Sequence, residues 1–162
     1  MFMAQTCLVY LLSLNDEDSF VHSLFNYELD LQLPFLRYAT CTWYDHYQAV
    51  SDDKDKSVTQ LVLFLFDVNN DNGNAYTNWL KAWYRYHDSF HYDFRFLMKE
   101  GEPYTAPLTV ASGIKITKVV KMLLERCYPQ SLQGNIIREA VEVASAEGWF
   151  NIVRMLLDAV PE

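Results

Sequence analysis

The chain writes nearly the same nineteen residues twice: PLTVASGIKITKVVKMLLE from Pro107, and AVEVASAEGWFNIVRMLLD from Ala140. A shift of 33 residues aligns the copies without a gap. It pairs Gly101/Gly134, Val110/Val143, Ala111/Ala144, Ser112/Ser145, Val120/Val153, Met122/Met155, Leu123/Leu156 and Leu124/Leu157 as identities. Leu108/Val141, Val119/Ile152, Lys121/Arg154 and Glu125/Asp158 are conservative pairs. A period of this length limits the fold, because one unit of that size cannot bury its apolar face alone and must stack on a neighbour. Each copy reads as a short helix with small residues, Val110-Ala111-Ser112 in the first, followed by a second helix from Val119 to Leu124. Small residues let the paired helices approach closely, and the large ones fill the layer between units.

A turn plus two helices at a 33-residue period resembles the ankyrin repeat. Pro107-Leu108 stands where that family has its Thr-Pro-Leu-His signature, and Gly148 matches the glycine between the helices. Thr109 and Glu142 replace the signature histidine, and Lys115 replaces the first inter-helix glycine. RCYPQSLQG stands in for the usual Gly-Ala-Asp turn, so the resemblance carries the helix pairs rather than the β-hairpin fingers.

Upstream, the helical period recurs. Phe35, Tyr38, Ala39, Thr42, Trp43, His46 and Tyr47 fall three and four apart, and so do Tyr76, Trp79, Leu80, Trp83 and Tyr86. Met3 to Leu14 reads as a buried helix stopped by NDED, Pro34 fits the first turn of the next, and SDDKDK closes that one. SVTQLVLFLFDV is too apolar for periodicity alone, and its neighbours favour helix. NNDNGN is a turn. Phe90, Tyr92, Phe94 and Phe96 alternate strictly, so residues 88–104 read as an extended connector with room for one short strand. The expected fold is all-α: an antiparallel, solenoid-like helical stack with a helical region over 1–87, the connector over 88–104 and two ankyrin-like pairs over 105–162.

The blocks AQTCLVYLL, LPFLRYATCTWYDH and NWLKAWY, followed in order by APLTVASG and the second repeat, resemble the segment that leads into the repeats of fungal NACHT-ankyrin proteins, NLR-like signalling NTPases. The likeness covers most of the chain in short, spaced blocks. It implies the helical connector and first two repeats of such a protein, and a regulatory role toward a nucleotide-binding domain. That domain needs a G-x-x-x-x-G-K-[ST] loop, and the sequence holds five glycines with none in such a run. NTPase activity therefore does not reside in these residues.

Charge and cysteine usage narrow the function further. The net charge is −8, and residues 1–100 carry 14 acids against 7 bases, with no basic block anywhere. Nucleic acid and anionic membrane surfaces need local positive charge, so neither is the expected partner. Cys7, Cys41 and Cys127 are odd in number, far apart and without metal spacing, which fits a reducing, cytoplasmic setting. The apolar opening lacks the basic start of a signal peptide, and no run reaches the ~20 residues of a membrane span.

Four chemical constellations compete with a purely structural role. Asp67, Asn69 and Asp71 imitate a calcium loop, but Asn72 and Asn78 occupy its glycine and glutamate positions. His87, Asp88, His91 and Asp93 cluster without the H-E-x-x-H arrangement, so metal is not expected. Cys41 and His46 would point about 140° apart on a helix, and Cys41 reads as a core residue. Lys81, Arg85, Arg95 and Lys99 among the aromatics are nearly cancelled by Asp88, Asp93 and Glu100. No nucleophile, base and oxyanion set coheres and no cofactor motif is present, so an enzyme is the least favoured reading.

The favoured expectation is a non-catalytic protein-interaction module. In ankyrin-like folds partners meet the turn tips and the end of the inner helix. Those positions are Tyr104, Thr105, Ile114 and Lys115 in the first copy, and Ile137, Arg138 and Glu147 in the second. Terminal repeats need a polar cap, and the second copy has none after it. Trp149, Phe150 and Met155 are therefore expected to form an exposed stacking end, open to self-association or to a further repeat.

Overall fold

The computed structural model describes residues 2–14, 31, 33–49, 56–68, 73–86, 106–127 and 134–159. Among these, every regular element is α-helical. The chain divides into two compact units, Met1–Ser89 and Phe90–Glu162. The alternating-aromatic connector, the His87–Asp93 cluster and most of the NNDNGN turn lie outside the described residues.

Among the described residues the first unit holds four helices: α1 (Phe2–Ser13), α2 (Leu36–Gln48), α3 (Lys56–Phe66) and α4 (Gly73–Tyr86). Helix α1 packs on the other three, and α4 also packs on α2 and α3. The core is aromatic. Trp43 lies edge-on to Trp79 at 5.8 Å, and Phe66 sits 5.5 Å from both Trp79 and Tyr76. Hydrogen bonds also tie the helices together. Asn78 Nδ2 donates to the carbonyl of Leu14 at 2.7 Å, satisfying a carbonyl just past the end of α1. Trp79 Nε1 donates to the carbonyl of Thr40 at 3.3 Å.

The expected face of α4 is buried as read at Tyr76, Trp79, Leu80 and Trp83, with Tyr86 half-buried. Helix α3 takes the ambiguous apolar run. Two expectations need correction. Helix α1 is not buried all round: Ala4, Cys7, Leu8 and Leu11 form one inward stripe, while Phe2 and Val9 are exposed. In α2 the inward face is Leu36, Ala39, Thr40, Trp43 and Tyr47, and Tyr38 stands exposed. Pro34 sits in the turn before α2, where the amide of Leu36 donates to the carbonyl of Leu33 at 2.9 Å.

The second unit holds α5 (Pro107–Gly113), α6 (Thr117–Cys127), α7 (Gly134–Ala146) and α8 (Phe150–Asp158). Helix α5 packs on α6 and on α7, and α8 packs on α7 and on α6. First helix thus meets first helix and second meets second. The small residues Ala111 and Ala144 are fully buried on α5 and α7. Pro107 opens α5 at its first turn, where a missing N–H costs nothing.

The 33-residue period extends to the backbone. Lys115 has φ 60 and Gly148 has φ 75, and these are the only positive values among the described residues. Around them the amide of Ile116 donates to the carbonyl of Ala111 at 2.9 Å, and the amide of Trp149 to that of Ala144 at 2.8 Å. Val119 to Ile116 and Ile152 to Trp149 repeat the match at 2.9 Å each. Both copies therefore close their first helix with a left-handed residue that satisfies its last carbonyls, as helix C-termini commonly do.

A β-carbon added at Gly148 would meet no atom within 4 Å, so its conformation alone resists substitution. Gly148→Ala is expected to destabilise by about 1–2 kcal/mol, the left-handed penalty of an L-residue. A urea titration checks this, and an unshifted midpoint would contradict the assigned turn.

Candidate interaction surface

The turn tips carry the groups that sequence reasoning singled out, but not all of them face water. Lys115 is exposed at the first tip, and its ammonium lies 4.4 Å from the centre of the Trp149 ring. The Trp149 indole N–H donates to the carbonyl of Gly113 at 3.0 Å. Together these contacts fasten the second inter-helix turn to the first. A cation over an indole contributes about 0.5–2 kcal/mol, which offsets the left-handed strain at Lys115.

Arg138 is exposed on α7 and lies 3.7 Å from Glu142 one turn later. Lys121 and Glu125 form another exposed pair, on α6, at 3.9 Å. Solvated pairs of this kind contribute a few tenths of a kcal/mol each, so they hold charge at the surface rather than hold the fold. Glu147 is half-buried at the second tip.

Ile114 and Ile137 are core residues, 7% and 6% exposed, and are not available to a partner. Each β-branched side chain turns inward where its helix packs on a neighbour. Tyr104 and Thr105 lie outside the described residues. What remains of the expected surface is Lys115, Arg138 and Glu147.

The expected stacking end also changes. Phe150 is 78% exposed, as read. Trp149 is half-buried because it reaches back to Gly113 and Lys115, and Met155 is half-buried as well. Leu157, 56% exposed, takes their place. The signal for it was in the repeat, since its counterpart Leu124 is a core residue at 7%.

Of the chemical constellations, only Cys41 and His46 lie wholly among the described residues. Burial pushes the Cys41 thiol above its usual value, with the Arg37 charge lowering it less, which is the wrong direction for an activated nucleophile. His46 is turned instead toward Tyr38, sharing a hydrogen bond between Nε2 and the phenol at 2.8 Å. Cys7 is the deeper thiol, fully buried and also raised by desolvation. Among the described residues no group of three His, Cys, Asp or Glu side chains could hold a metal ion. Nor is any described helix long and apolar enough to cross a membrane.

Comparison with protein-family models, curated proteins and solved structures returns no match for this chain.

Proposed function

We propose that the chain is a non-catalytic protein-interaction module of the ankyrin-repeat type, with its second unit as the recognition element. One observation carries this reading. Two helix–turn–helix segments 33 residues apart share the same left-handed turn position and the same hydrogen bonds. Such units present a rigid row of turn tips at low conformational cost, which favours binding a folded partner. The accessible charged side chains among the expected contacts are Lys115 and Glu147 at the inter-helix turns and Arg138 in the first half of α7. Lys115 and Arg138 favour a partner with acidic groups around the contact.

The test is charge reversal at the tips. In a cross-linking and mass-spectrometry comparison, the double variant Lys115→Glu/Arg138→Glu is expected to lose at least tenfold in recovery of a specific protein partner. Its circular dichroism spectrum should stay that of the parent chain, and its melting midpoint should fall only by what the Lys115–Trp149 contact and the Arg138–Glu142 pair contribute. The same proteins recovered in equal amounts by both chains would sink the turn-tip assignment.

A further inference from the structure

Two guanidinium groups of the first unit meet at one ring. Tyr86 ends α4, and its ring centre lies 5.9 Å from the guanidinium of Arg37 and 5.7 Å from that of Arg85. Arg37 comes from α2, which packs on α4, and it is exposed, while Arg85 and Tyr86 are half-buried. Helix electrostatics oppose this arrangement. Arg37 stands in the first turn of α2, where the dipole disfavours a cation, and that turn holds no acid. Lys81 precedes Arg85 by one turn, a like-charge spacing that costs stability, and α4 contains no acid to offset it. Among the four described helices of this unit the only acid is Asp45, eight residues beyond Arg37 and so about 12 Å further along α2. These helices are therefore net positive within a sequence whose net charge is −8.

We infer that Arg37 and Arg85, gathered at Tyr86, bind a phosphoryl dianion, carried on a partner's side chain or as free phosphate. The match is one of charge and shape. A phosphomonoester carries about −1.5 to −2 at neutral pH, which two guanidinium groups neutralise. Each guanidinium also presents a planar fork of N–H donors suited to phosphate oxygens. A carboxylate or a phosphodiester brings a single charge and would leave one cation unmatched. The ring contributes by preorganisation: a long side chain already held against an aromatic surface loses less freedom when the anion arrives. Polyanions fit poorly, since no basic block extends the site along the sequence. Asp88, three residues after Arg85 and outside the described residues, is the internal competitor for the same charge. The inference stands on the first unit alone, so it depends neither on the repeat reading nor on the turn tips.

The experiment titrates the full chain, at neutral pH and constant ionic strength, with a short neutral peptide bearing one phosphoserine, with inorganic phosphate and with acetate. Binding is read by nuclear magnetic resonance at the arginine Nε–H groups. Saturable shifts of the Arg37 and Arg85 signals are expected with the phosphopeptide and with phosphate, and none with acetate. Arg37→Gln should weaken binding at least about tenfold, the scale of one charge-assisted hydrogen bond, with an unchanged dichroism spectrum. Arg37→Lys keeps the charge without the fork, so it serves if the first variant fails to fold, and it too should weaken binding. A phosphopeptide that binds more tightly than phosphate assigns the site to a modified protein partner; equal affinities assign it to free phosphate. Acetate binding as well as phosphate, no saturable shift, or an affinity unmoved by either Arg37 variant would overturn the inference. Binding that emerges only after Asp88→Asn would overturn it as well, because the chain's own carboxylate would then hold the guanidinium groups.

Discussion

Trp43→Ala is expected to destabilise the first unit by about 3–5 kcal/mol, the range for deleting a fully buried aromatic. Trp43 has no exposed surface, and its ring meets Trp79 at 5.8 Å, Phe66 at 6.1 Å and Tyr47 at 6.4 Å. Removing it leaves a cavity bounded by α2, α3 and α4 at once, and large rigid rings collapse into such a space poorly. A loss of this size is a large part of the ~5–15 kcal/mol that stabilises an ordinary domain, so the near-ultraviolet dichroism of the aromatic cluster should vanish at temperatures where the parent keeps it. Trp43→Phe separates packing from polarity. It retains a ring, and it removes an indole N–H that meets no acceptor among the described residues. An unpaired buried donor costs about 1–3 kcal/mol, so Trp43→Phe should cost well under half as much as Trp43→Ala. Equal losses for the two variants would show that the indole N–H is satisfied and the cluster differently built.

What the sequence disclosed follows the strength of each periodic signal. The helices of both copies were legible, but their shared turn was not: Lys115 stood only as a replacement for a glycine, and its positive φ, matching that of Gly148, shows in the structure. Helix α4 was legible because Trp79, Leu80 and Trp83 are large, apolar and three or four apart. Helix α2 was read about one residue out of phase. Tyr38 and His46 count as apolar or aromatic in a pattern, yet they bond each other at the shoulder of the helix while Leu36 and Thr40 turn inward. Tyrosine has an apolar body and a polar end, so it marks the edge of a buried stripe as readily as its centre. Ile114 and Ile137 were placed at a partner surface by analogy of position, against their own chemistry. β-branched apolar residues at helix junctions are ordinarily buried, and both are. Trp149 was expected outside because the sequence showed no polar cap after the second copy. The indole N–H found the carbonyl of Gly113 in the preceding copy, a contact between units that no pattern within one unit can reveal.

Leu156→Ala and Leu157→Ala should differ sharply although the residues are adjacent and chemically identical. Leu156 has no exposed surface and Leu157 is 56% exposed. For Leu156 the expected loss is about 2–5 kcal/mol, combining lost transfer energy with the cavity left behind. For Leu157 the expected change is within about 0.5 kcal/mol, as for surface positions generally, since most of its side chain already faces water. The short helix α8 makes the first value consequential. It has nine residues, below the length at which a helix is stable alone in water, so it depends on the face that packs on α6 and α7. Ile152, 1% exposed and one turn before Leu156, is the other anchor of that face. Loss of Leu156 should therefore free α8 first, seen as rapid exchange of its amides while the first unit keeps its aromatic signal. The contrast also fixes the phase of the repeat. Should Leu157→Ala prove the costly variant, the helix would be turned by about 100°, and the exposed register of α8 would belong to other residues.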